Sequence, residues 1–148
     1  MKKNEIWFYI SLIVLLTTII LLLTGSSLLT FALDKEDSIP LGSFITWAGL
    51  ISLPLTLYWG IKELRNPTTK AYGYLAKTIK IVILIAVLWV PISYLLAGNL
   101  SFNFSEKASF QGGQIAMKWF WGLSFGIPVA TLLTLIIHSM IRLLKHKN

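Results

Sequence analysis

Four stretches of this chain carry no charged side chain: Ile6 to Leu33, Ser38 to Ile61, Ile81 to Ser105 and Trp119 to Ile141, of 28, 24, 25 and 23 residues. Together they hold 100 of the 148 residues. The hydrocarbon core of a bilayer is about 30 Å thick, and a helix rising 1.5 Å per residue crosses it in roughly 20 residues. The pattern therefore predicts an all-α membrane protein of four transmembrane helices, over approximately 6–28, 41–64, 78–96 and 117–141. Short loops between them imply an antiparallel four-helix bundle, one integral membrane domain over residues 1–148. Only 13% of residues are charged and mean hydropathy is +0.73, whereas soluble domains carry about 25% charged residues. No segment outside the spans is long enough to fold as a domain with its own core.

A net charge of +7 would point to nucleic acid in a soluble protein; here its distribution reports topology instead. Lys2 and Lys3 precede the first span, Lys62, Arg65, Lys70, Lys77 and Lys80 separate the second from the third, and Arg142, Lys145 and Lys147 follow the fourth. These segments hold ten basic residues against Glu5 and Glu63. The other two loops set Lys35, Lys107 and Lys118 against Asp34, Glu36, Asp37 and Glu106. Short loops rich in Lys and Arg stay cytoplasmic, so both termini are expected inside and the acidic loops outside. The expected location is the plasma membrane, or in a bacterium the inner membrane, with the lipid bilayer as first partner and nucleic acid as none.

The chain has no cysteine, which removes disulfides, thiol catalysis, thiolate metal sites and S-linked lipid anchors. Lys2 and Lys3 ahead of an apolar run resemble the start of a secretory leader. The run is longer than a typical leader core, however, and is expected to remain as an uncleaved anchor.

Local signals place the boundaries. Pro40 suits the first turn of the second helix, and Asn66-Pro67 is expected to stop that helix after Leu64. Thr68 to Lys80, where Tyr72, Tyr74 and Leu75 mix with lysines, reads as the lead-in of the third span at headgroup depth. In the loop from Gly98 to Lys118, Leu100, Phe102 and Phe104 alternate with Ser101, Asn103 and Ser105, the period of a short strand. Its aromatic residues, Phe102 and Phe104, are candidate partner contacts. The sequons Asn99-Leu100-Ser101 and Asn103-Phe104-Ser105 also fall there, too close to the membrane to be read as glycosylation sites.

Three spans contain a proline near the middle: Pro54, Pro91 and Pro128. Each removes a helix hydrogen bond and frees a carbonyl that must find a partner within the protein. Three kinks at similar depth could open a cavity or act as hinges. A faint repeat overlays Trp47 to Leu55 on Trp121 to Val129, each with Trp seven residues before Pro, as in duplicated parallel hairpins. Gly122 and Gly126 form a GxxxG pair, a candidate helix-packing face for this chain or a partner.

Chemistry inside a membrane needs ionisable groups at depth, and the middles of the spans contain no Asp, Glu, Lys or Arg. No enzyme, cofactor or metal site is expected. His138 and His146 lie near the inner end of one helix and cannot face each other across a haem; His138 is expected to be an interfacial side chain without a role. Thr17, Thr18, Thr46, Thr56, Ser93, Thr131 and Thr134 are the polar groups inside, able to bond to their own helix or to a neighbour. The reading that follows is an accessory, assembly or immunity-type interaction subunit, bound to another membrane protein or to itself. The alternative is a small oligomeric channel or carrier lined by the proline-kinked helices.

Overall fold

A computed structural model describes residues 2–34, 39–100, 104 and 110–146. Six helices account for most of them: α1 (Lys3–Thr24), α2 (Leu41–Gly60), α3 (Lys62–Arg65), α4 (Lys70–Val87), α5 (Trp89–Ala97) and α6 (Gly113–His146). Three of these, α1, α2 and α6, are long and apolar enough to cross a membrane; a fourth crossing is available if α4 and α5, bent by 47° at Leu88, count as one span. No strand occurs among the described residues. The strand expected from Leu100 to Ser105 falls mostly on residues 101–103 and 105, outside the described ones, and neither Leu100 nor Phe104 is in a strand.

The ends of the helices differ from expectation for identifiable reasons. Helix α1 stops at Thr24 rather than Leu28 because Gly25 takes a left-handed conformation (φ 59°). There Ser26 N–H reaches the Leu21 carbonyl and Gly25 N–H that of Leu22, the paired bonds of a Schellman cap. A single 3₁₀ turn, Ser27–Leu29, follows. Helix α2 ends at Gly60 rather than Leu64, since Ile61 is extended (φ −103°, ψ 117°). The chain then curls through α3, and the Arg65 guanidinium returns to donate to the carbonyls of Tyr58 and Trp59. Those are last-turn acceptors that lack helical donors, and a cation there also suits the helix dipole. The third helix starts at Lys70, eight residues before the expected span, with Thr69 as its cap. At 34 residues, α6 measures about 51 Å and extends beyond the hydrocarbon thickness.

Two clusters form the core. Leu50, Val82, Ala86, Trp89, Ala97, Phe120 and Ile127 hold one half, and Leu64, Tyr72, Leu75 and Ile79 the other. All belong to α2 through α6. Helix α1 contributes to neither; among the described elements it packs on α2 and on the 3₁₀ turn that follows it. Its buried residues are Ser11 and Thr18, while Ile13, Ile20 and Leu23 are exposed. Small polar residues inside and large apolar residues outside invert the arrangement of a soluble protein, in which surface apolar patches are limited. The same inversion holds along α6, and the molecule is a helical membrane protein.

Candidate functional site

The three prolines occupy three different settings. Pro54 is fully buried in an α2 that continues through it, and Pro91 is exposed near the start of α5. Pro128 lies within an unbroken α6 and lines an apolar pocket of about 360 Å³ with Thr46, Leu50, Trp89, Phe104 and Phe120. They do not face a common space. The sharp bend lies at Leu88, three residues before Pro91, which has no N–H for the Val87 carbonyl four residues back. That carbonyl is taken up by another helix: Trp47 Nε1 donates to the carbonyls of Ala86 and Val87 at 3.1 and 3.2 Å. Trp47 is thus the internal partner that a proline kink in lipid requires. Trp121, its counterpart in the faint repeat, is stacked on Phe125 and 40% exposed, so the aligned tryptophans have different surroundings.

The glycines separate into covered and open sets. On α2, a Cβ at Gly49 would overlap the Thr18 side chain, one at Gly60 would stand 2.9 Å from the Phe8 ring, and one at Gly42 would stand 2.8 Å from the Phe104 ring. The first two let α1 approach α2 closely, and Thr18 Oγ1 donates to the Ile45 carbonyl at 3.3 Å across that seam. Close approach through small residues is how helices associate where lipid removes the hydrophobic drive. Gly122 and Gly126 differ: a Cβ at either would meet nothing within 4 Å. They line a groove of about 220 Å³ beside α4 with Val82, Ile85 and Ala130. Trp119, Val129, Leu133 and Met140, all more than half exposed, share that side of α6 at 3.6 residues per turn. Among the described residues, no side chain therefore covers Gly122 or Gly126 closely.

Of the two aromatic partner candidates, Phe102 lies outside the described residues. Phe104 is half-buried against Gly42 and lines the pocket around Pro128, so it turns onto its own helices. The loop is tied down on both sides. Ser43 Oγ donates to the Leu100 carbonyl at 2.6 Å, and the Phe110 ring meets Phe120 edge-on at 5.1 Å.

At the other end of the helices His138 is buried. Its ring lies 5.4 Å from Tyr72, and its Nε2 stands 3.6 Å from Glu63 Oε2. That separation suits an ion pair when the imidazole is protonated but is too long for a hydrogen bond, and Nε2 has no hydrogen-bond partner among the described residues. The 75-residue separation of Glu63 and His138 left no periodic signal by which to pair them. Beside them His138, Ser139 and Arg142 line a pocket of about 540 Å³ with Ile61, Leu135 and Leu143.

The remaining polar groups mostly bond to their own helices. Ser11, Ser52, Thr56, Thr131 and Thr134 donate to carbonyls three or four residues back. Thr46 Oγ1 and Ser93 Oγ are buried without a partner among the described residues. Also among those residues, no three His, Cys, Asp or Glu side chains gather as a metal site would require. Comparison with family models, with curated proteins and with solved structures finds no match to this chain.

Proposed function

We propose that this protein is an accessory or assembly-type subunit of the plasma membrane (the inner membrane in a bacterium) that binds a transmembrane helix of a partner protein on the open face of α6. In this reading the chain crosses the bilayer four times as an antiparallel bundle, α4 and α5 forming one bent span. The termini and the basic loop around α3 lie in the cytoplasm, on the strength of ten basic residues there against three in the outer loops. One observation carries the functional reading. Among the described residues, the chain's own side chains cover the glycines of α2, while Gly122 and Gly126 stay open beside an apolar groove. Two glycines in mid-helix cost about 1 kcal/mol each relative to alanine, and an approaching helix backbone is the occupant that gains from their lack of a side chain.

The test is affinity purification of the full chain from native membranes in mild detergent. The wild type is compared with Gly122→Leu and Gly126→Leu, and with Ile13→Ala on the exposed side of α1 as control. The reading expects a stoichiometric companion, reduced at least tenfold by either leucine and unchanged by the control. A second copy of this chain as companion would make the assembly homomeric at the same face. A wild-type chain that runs alone in several detergents, or a companion indifferent to both leucines, would contradict it. The channel or carrier reading has no comparable support, since the grooves that Pro128, Gly122 and Gly126 line are apolar and Pro54 is enclosed.

A further inference from the structure

The pocket at His138 does not end at its polar lining. Ile61 and Leu135 line it and also line a second groove of about 350 Å³, which runs between α1, α2 and α6 past Leu57, Leu53, Leu15 and Thr131. This groove exists because α1 packs on α2 without touching α6, leaving a cleft that side chains of all three helices line. The two pockets adjoin at Ile61 and Leu135 and together have a polar end and an apolar end. One end offers the Arg142 guanidinium, while Ser139 Oγ donates to the Leu135 carbonyl at 2.9 Å and His138 Nε2 is buried beside Glu63; the other is lined by aliphatic side chains, Phe8 and the threonines Thr56 and Thr131.

From Arg142 to Thr131 is eleven residues of α6, or about 16 Å. Half of a hydrocarbon core about 30 Å thick is about 15 Å, so the cavity has the length of one leaflet. Its charged end lies where the flanking sequence is most basic, with Lys62, Arg65, Lys70 and Lys77 in the neighbouring loop and helix. Basic pockets between membrane helices on the cytoplasmic side hold anionic headgroups. The Glu63 carboxylate, 3.6 Å from His138 Nε2, and Glu5 in the first turn of α1 are the acidic groups on this side, and neither is part of the pocket lining.

We propose that this cleft is a specific site for one anionic phospholipid of the cytoplasmic leaflet. Its phosphate is held by Arg142, and one acyl chain lies between α1 and α6 over Leu57 and Leu132. The cytoplasmic assignment rests on the topology proposed above; the binding site itself does not. At 3.6 residues per turn, Thr131, Leu135, His138 and Arg142 lie on the opposite side of α6 from Gly122 and Gly126, so the lipid and the partner helix occupy separate faces and are tested separately.

The experiment is native mass spectrometry of the purified full chain. It is first equilibrated with equal amounts of phosphatidylglycerol and phosphatidylcholine of matched chains, then stripped by graded detergent. Arg142 and Leu132 are both exposed, so Arg142→Gln and Leu132→Trp leave the core intact, which thermal melting verifies. The wild type is expected to keep one phosphatidylglycerol per chain, at least fivefold over phosphatidylcholine. Arg142→Gln, which removes the headgroup cation, and Leu132→Trp, which fills the acyl groove, should each lower that retention at least fivefold. Lys77→Gln, an exposed cation outside the cavity, should leave it unchanged. Equal retention of both lipids by the wild type would overturn the proposal. So would an effect of Lys77→Gln as large as that of Arg142→Gln, since surface charge would then suffice. Loss with Arg142→Gln but not with Leu132→Trp would also overturn it, because the groove would then hold no acyl chain.

Discussion

Helices α2 and α6 both carry glycines within apolar spans, yet the chain treats them in opposite ways. On α2, Gly42, Gly49 and Gly60 each lie against another part of the molecule, α1 supplying Thr18 and Phe8 and the outer loop supplying Phe104. On α6, Gly122 and Gly126 face open space although they form the tighter motif. The uncharged stretches of the two helices otherwise look alike in sequence, with a central proline and small residues. The difference lies in coverage: among the described residues one set of glycines is covered and the other is open.

The sharpest way to break this contrast is to place the same bulk on each side. Gly49→Ala drives a methyl group into Thr18 and should destabilise the α1–α2 pair by about 1–3 kcal/mol, the range for overpacking. Thermal unfolding in mild detergent would register this as a clear fall in midpoint. Gly122→Ala and Gly126→Ala should do the reverse in the isolated chain. Each is expected to leave the midpoint unchanged or raise stability by up to about 1 kcal/mol, the helix preference of alanine over glycine. If either alanine destabilises the lone chain as much as Gly49→Ala does, then Gly122 and Gly126 are packed after all.

Smaller effects sharpen the account of what completes the inner seam. Trp47→Phe removes the N–H that serves the Val87 carbonyl and should cost about 1 kcal/mol. In a Pro91→Ala background that carbonyl regains its helical donor, so the cost should largely vanish. A double-mutant cycle by unfolding measures the coupling, and strict additivity would show that the indole serves something else. Thr18→Val deletes one interhelical hydrogen bond and should cost only about 0.6 kcal/mol, the mean found for such bonds in membranes.

Much of the helix content was legible because lipid imposes a length: uncharged runs of 23 to 28 residues leave few alternatives to spans. The break at Leu88, three residues before Pro91, follows from proline chemistry. The early ends at Thr24 and Gly60 were not legible, because each depends on a local competitor. Gly25 closes a Schellman cap in place of further helix, and Arg65 folds back onto the last carbonyls of α2. Coverage was the least legible property. Spacing gives the small residues of α2 and α6 the same appearance, and only the position of α1, seated on α2 and apart from α6, separates them. The Glu63–His138 contact likewise depends on how α3 curls beneath α6, and composition and spacing do not encode it. Phe104 illustrates the converse: alternation marked it for an external partner, and the nearness of Gly42 gave it an internal one.

The most direct test exploits the exposed positions of the two outermost long helices. A photo-crosslinking phenylalanine analogue is placed at Leu133, on the open side of α6, or at Ile13, on the exposed side of α1, in chains expressed at native level. Irradiation of intact membranes should give a discrete protein adduct from position 133, abolished by Gly122→Leu, and none from position 13. No protein adduct at 133, or equal adducts at both positions, would mean that the open glycines of α6 face lipid alone.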